Sequence, residues 1–192
     1  MSQSKWSRPT RLLHMGMALT VSLQLGISLL MAAPDAENAS KFAHTAFEAH
    51  EIVGMTALVI ILAHWFWSLT NQADGGLARL FPWRGAALAE VKQDLSQIIK
   101  GQLPANDARG GLPGLVHGLG FLAVTGMVAT GGVLFFIFPE TGKPDATVEF
   151  FAGIHEFIAP LVWVYWGSHI ALALLHKKMG HTTLQEMFNL KP

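Results

Sequence analysis

Residues 150–176 read FFAGIHEFIAPLVWVYWGSHIALALLH. Apart from Glu156 and the histidines, the stretch is almost unbroken in its apolar character. About 20 such residues cross the hydrocarbon core of a bilayer as a helix. His155 and His169 lie inside it, fourteen residues apart. A rise of about 1.5 Å per residue separates them by roughly 21 Å along the axis, and about 100° per residue brings the two imidazoles within about 40° of one face. An ionisable side chain inside a membrane helix is costly to keep and marks a functional site by default. Two of them, one near each membrane surface, call for partners on other helices.

Working outward, three further apolar runs lie near residues 12–33, 50–69 and 112–138, each long enough to span. The expected architecture is all-α: one integral-membrane domain over residues 1–192, built as a four-helix bundle. Half of the 192 residues are apolar, only 14% are charged, and the formal net charge is zero. No global field therefore points to nucleic acid or to an anionic substrate. The chain has no cysteine, which excludes disulfides, thiolate-held iron–sulfur clusters and covalent haem attachment through a C-x-x-C-H motif. The first run follows basic residues and ends in small ones at Ala32–Ala33, as a signal peptide does, but it is longer than a signal core and reads as a retained span.

Lys5, Arg8 and Arg11 precede the first run, and Arg79, Arg84, Lys92, Lys100 and Arg109 lie between the second and third. Lys177, Lys178 and Lys191 follow the fourth, whereas the other two loops hold only Lys41 and Lys143. The positive-inside rule puts both termini and the long middle loop in the cytoplasm. Within that loop, Ala87, Leu88, Val91, Leu95, Ile98 and Ile99 recur at near-helical spacing, so a short amphipathic helix is expected on the cytoplasmic surface or against the bundle. Residues 34–48 and PETGKPDATVE read as the outer loops, and LPANDARGGLPG as turns leading back into the membrane.

The histidines sort by depth. His50 opens the second run and His155 the fourth, both near the outer surface. His14, His64, His117 and His169 lie near the inner one. His50 and His155 form an outer pair with little competition. The inner site holds His169 with His14, His64 or His117. His176 follows His169 by seven residues on roughly the same face, while His44 and His181 read as solvated. Gly54, one turn after His50, admits either a bulky planar group or ordinary close helix packing. Gly118, Gly120 and Gly126 open the third run to close helix approach, and Trp65 and Trp67 mark the cytoplasmic interface.

Two bis-histidine sites at two depths call for low-spin haem, with a macrocycle between helices and an imidazole on each axial position. Iron with both axial positions filled passes electrons rather than binding oxygen.

RPTRLLH at 8–14, HEIVG at 50–54 and IHEFIAPLVWVYWGSHIALALLH at 154–176 together resemble the bacterial cytochrome b561 and nickel-hydrogenase b-type cytochrome family, over nearly the whole chain. The resemblance implies two non-covalent haems b, the inner on His14 and His169 and the outer on His50 and His155, in a multi-pass protein of the inner membrane. It favours His14 over His64, which stands where the family often has arginine; Met15 stands where it commonly has tryptophan. Arg11, Arg79 and Lys177 are candidates to meet the inner propionates in place of that arginine. The implied function is electron transfer between the quinone pool, ubiquinone or menaquinone, and a partner redox protein, with His117 or His176 near a quinone headgroup. The alternatives are a stand-alone quinone-linked oxidoreductase of the superoxide-oxidising kind, and a histidine-lined metal or proton transporter. A transporter leaves the fourteen-residue pairing unexplained, and the outer loops lack the basic funnel that would gather superoxide.

Overall fold

The computed structural model describes residues 6–34, 36, 38–71, 74, 76–102, 110–139 and 143–188. Among them the chain forms seven helices and no strand: α1 (Arg8–Ser28), α2 (Lys41–Thr70), α3 (Gly76–Leu80), α4 (Gly85–Ile99), α5 (Gly111–Ile137), α6 (Ala146–Lys178) and α7 (Thr183–Phe188). Lys5, Arg109 and Lys191 of the charge pattern lie outside the described residues.

The boundaries follow from local capping. Asp145 starts α6 four residues before the apolar run, because its Oδ1 accepts the N–H groups of Thr147 and Val148, each at 2.9 Å. An aspartate in this position satisfies donors that the first turn otherwise leaves orphaned. Ser40 does the same for α2, its Oγ accepting the Ala43 N–H at 3.2 Å. Residues 41–48, expected in an outer loop, are therefore the first turns of α2. At the other extreme, α1 stops at Ser28 rather than near residue 33. Leu29, Leu30 and Met31 bond back to Gly26 and Ile27 in a closing turn, and Ala33 precedes Pro34, whose ring disfavours the helical conformation of the residue before it.

Among the described residues, three helices are long and apolar enough to cross a membrane: Lys41–Thr70, Gly111–Ile137 and Ala146–Lys178. α1 is shorter and carries Arg8, Arg11, Thr20, Ser22 and Gln24, and it is not one of the three. The outward faces are apolar. On α2, Ile52, Val59 and Phe66 recur every seven residues and are 67%, 66% and 69% exposed. Phe150, Phe157 and Val164 repeat the pattern on α6. Large apolar stripes of this kind on a single helix need a lipid or protein environment.

The chain divides into two compact units, one of Met1–Leu13, His64–Leu122 and Gly167–Pro192, the other of His14–Ala63 and Ala123–Trp166. In the first unit, α3 docks on α5 by backbone. The Arg79 carbonyl lies where a Cβ on Gly114 would fall, and the Leu80 carbonyl where one on Gly118 would fall. Only glycine permits this approach. Gly111 opens α5 with φ +47 beside the Asp94 carboxylate, whose Oδ2 accepts the Leu112 N–H at 2.8 Å. That contact ties α4 to α5. The amphipathic helix thus exists as expected, with Val91 buried but Leu95 and Ile99 exposed.

The same unit holds a polar knot. Asp74 accepts hydrogen bonds from the Ser7 N–H at 3.0 Å, and from the Ser7 and Thr10 hydroxyls at 2.5 Å each. Trp67 Nε1–H donates to Thr10 Oγ1 at 2.9 Å. The Arg79 guanidinium lies 3.5 Å over the centre of the Trp6 ring and donates to the Asp74 carbonyl at 3.3 Å. Burial works against the Asp74 charge, but the Ser7 and Thr10 bonds and the Arg79 charge outweigh it and hold the carboxyl below its ordinary range. Burial draws Arg79 down to about 10, opposed by Asp74, and it stays a cation at neutral pH.

Because the folded Asp74 binds its proton less readily than the unfolded one, its stabilisation is complete above the unfolded value of about 4 and is lost as pH falls through the folded value. Asp74→Asn should cost about 1 kcal/mol at pH 7, allowing for solvent screening of a partly exposed carboxylate. Thermal unfolding in detergent against pH should show the wild type losing its advantage over the variant in acid.

In the second unit, segments of α1, α2, α5 and α6 pack through small residues. A Cβ on Gly16 would lie 3.2 Å from Ile60, one on Gly126 3.0 Å from Ile158, and one on Gly132 3.2 Å from Leu58. Trp166 Nε1–H donates to Ser22 Oγ at 2.9 Å, joining α6 to α1.

Candidate functional site

The second unit encloses a cavity of about 440 Å³, within the range of roughly 300–1,000 Å³ common to small-molecule and cofactor sites. His50 of α2 and His155 of α6 both line it, with Gln24, Met127, Phe135 and Trp163 among the other walls. The two imidazole centroids are 6.3 Å apart and the ring planes are nearly perpendicular, at 79°. The outer pair expected from the sequence is therefore brought together.

The two rings are held differently. Thr130 Oγ1 lies 2.9 Å from His155 Nδ1. The Nδ1 of His50 is buried with no hydrogen-bond partner among the described residues. His50 is tied through its backbone instead: Gln24 Nε2–H donates to its carbonyl at 2.9 Å. Gly54 makes room for that amide, since a Cβ there would fall 2.8 Å from Gln24 Nε2. Gly54 also lines the cavity.

The first unit holds His64, His117, His169, His176 and His181. His169 lies edge-on to His117, with centroids 4.9 Å apart and planes at 89°. His117 Nδ1–H donates to the Pro113 carbonyl at 2.6 Å, which leaves the lone pair on Nε2. His64 sits in an aromatic cluster, 4.8 Å from Phe121, which also packs on Trp65, and its Nδ1 lies 3.2 Å from Ser68 Oγ. His176 lies edge-on to His181 at 5.1 Å. Arg11 is buried, and Lys177 is exposed. Arg79 is engaged with Trp6 and Asp74. His14 belongs to the second unit and His169 to the first. No group of three or more His, Asp or Glu side chains able to hold a metal ion occurs among the described residues.

The family model for prokaryotic cytochrome b561 matches residues 5–190. The chain belongs to the prokaryotic cytochrome b561 family. No curated protein and no solved structure matches it. A cytochrome b561 is a membrane protein of electron transfer that binds b-type haem, and the cysteine-free sequence agrees with a haem held without thioether links.

The second unit of this cytochrome b561 fits such a group. A metal gripped by two imidazole nitrogens, at about 2 Å each, sets the ring centroids roughly 6 Å apart once the ring radii are added. The observed 6.3 Å matches. Glycine at 131 keeps α5 clear of the ring, for a Cβ there would already lie 3.2 Å from His155 Cε1.

Sequence reasoning about this cytochrome b561 missed Thr130, Gly131 and Gln24. The available signal was weak: one of two threonines in the second half of α5, one glycine among several, and one amide in α1. None of these is distinctive until a ligand faces it.

Proposed function

We propose that this chain is a dihaem electron carrier of the inner membrane, working between the quinone pool and a partner redox protein. His50 and His155 are the axial ligands of the outer haem, and His14 and His169 those of the inner one. The separation of the His50 and His155 rings, 6.3 Å across one cavity, carries this reading. α1 joins the three apolar helices in a four-helix membrane bundle, one domain with both termini and the α2–α5 connection on the cytoplasmic side. Haem, when bound, would supply a one-electron couple, held by these histidines.

The residues of the chain set the conditions for that couple. The cavity walls are mostly apolar, and an apolar shell around a metal site lowers the local dielectric and so tunes its potential. His117, edge-on to His169 with its Nδ1–H committed to Pro113, presents an acceptor nitrogen suited to a quinol hydroxyl. His64 is a packing residue, held by Phe121 and Ser68.

Quantitation of haem in the purified protein tests this directly. Two haems b per chain, with low-spin reduced-minus-oxidised spectra, are expected; colourless folded protein from haem-replete cells overturns the proposal. His64→Ala should retain both haems. Loss of one in that variant would transfer the inner ligand from His14 to His64.

A further inference from the structure

Thr130 is 8% exposed and sits in α5 directly opposite the His155 ring. Its hydroxyl proton already has acceptors in its own helix, the Gly126 carbonyl at 2.8 Å and the Met127 carbonyl at 3.1 Å. A threonine in a helix commonly bonds back in this way. The oxygen is then left as an acceptor, 2.9 Å from His155 Nδ1. An oxygen that accepts there requires the imidazole proton on Nδ1, which leaves the lone pair on Nε2. Were Nδ1 the acceptor instead, Nε2 would carry the proton and could not bind a metal.

Gly131, the next residue, lets α5 pass close to the ring, since a Cβ there would lie 3.2 Å from His155 Cε1. His50 has no matching device, because its Nδ1 has no partner among the described residues.

We infer that Thr130 is a positioning residue for the outer haem: it accepts the His155 Nδ1–H, fixes the tautomer and orientation of that ligand, and lowers the reduction potential of the iron it holds. The inference rests on the haem reading above. A hydrogen bond on the far nitrogen makes an imidazole a stronger donor and fixes its orientation. A stronger donor favours the ferric over the ferrous state, and hydrogen bonding around axial ligands is one of the levers a protein has on potential. The two ligands of one iron are thus unequal, with His155 the basic, fixed side and His50 the weaker one.

The test is redox potentiometry with low-temperature EPR on purified wild type, Thr130→Val and Thr130→Ser. Valine matches the shape and removes the acceptor; serine restores it. The outer couple is identified as the one missing from His155→Ala. In Thr130→Val the outer midpoint should rise and the outer low-spin signal should shift or broaden, while the inner couple stays where it was. Thr130→Ser should lie close to wild type in both readouts. Loss of the outer haem from Thr130→Val with retention in Thr130→Ser also supports the role. A Thr130→Val protein with full haem content and an unmoved outer couple overturns it, as does a serine variant that behaves like valine. Full haem content in His155→Ala is a different result: it refutes the underlying ligand assignment.

Discussion

The His155→Ala protein should lose half its haem b and keep the remainder in a low-spin, six-coordinate state. His155 and His50 line one cavity, and on the proposed assignment a haem held there would lose one of its two imidazoles. The inner haem proposed above does not involve His155 and should be untouched. Pyridine-haemochrome quantitation against protein concentration should fall from two haems to one, and the redox titration should collapse from two couples to one. Unchanged haem content would show that His50 and His155 do not form an axial pair. His50→Ala should lose the same couple, but to a lesser extent if Thr130 holds His155 ready to retain haem alone.

The second large effect is structural. Gly118→Val should destabilise the protein by about 3 kcal/mol, the upper end of the usual cost of overpacking. A side chain at 118 meets the Leu80 carbonyl and then Phe81 Cδ1 at 3.2 Å. Backbone stands in the way, not the pliable end of a side chain, so α3 must leave α5. Gly153→Ala is the control, since a Cβ there has nothing within 4 Å and alanine is the better helix former. Melting temperatures in detergent should drop for the first and hold or rise for the second. Equal melting for Gly118→Val and wild type would mean that α3 does not need its seat on α5.

The parts of this protein that were legible beforehand are those with a repeating or paired signal. His50 and His155 could be matched because each opens an apolar run at the same depth, and the cavity joins them. α5 could be bounded to within one residue because Gly111 and the polar residues past Ile137 interrupt a long apolar stretch. The starts of α2 and α6 were missed because Ser40 and Asp145 extend helices into polar sequence, where hydrophobicity carries no information and a single cap decides the matter. α3 was invisible for another reason. GLARL is too short for any periodicity, and its order comes from Gly114 and Gly118, more than thirty residues away. Thr130 was hidden by its ordinariness: a hydroxyl in an apolar helix usually bonds only to its own backbone, and nothing in the residues around it names His155 as a second partner. The inner site was read to a choice among histidines, and the His117–His169 contact adds a neighbour to that choice without deciding it.

A helix of five residues closes too few internal bonds to survive by itself in water. α3 therefore borrows its order from the glycine track of α5 on which its carbonyls rest. The consequence is a built-in reporter. Protection of the α3 amides from solvent exchange should track the integrity of the long helix it rests on, so that loosening of α5 is announced first in the short helix seated on its glycines.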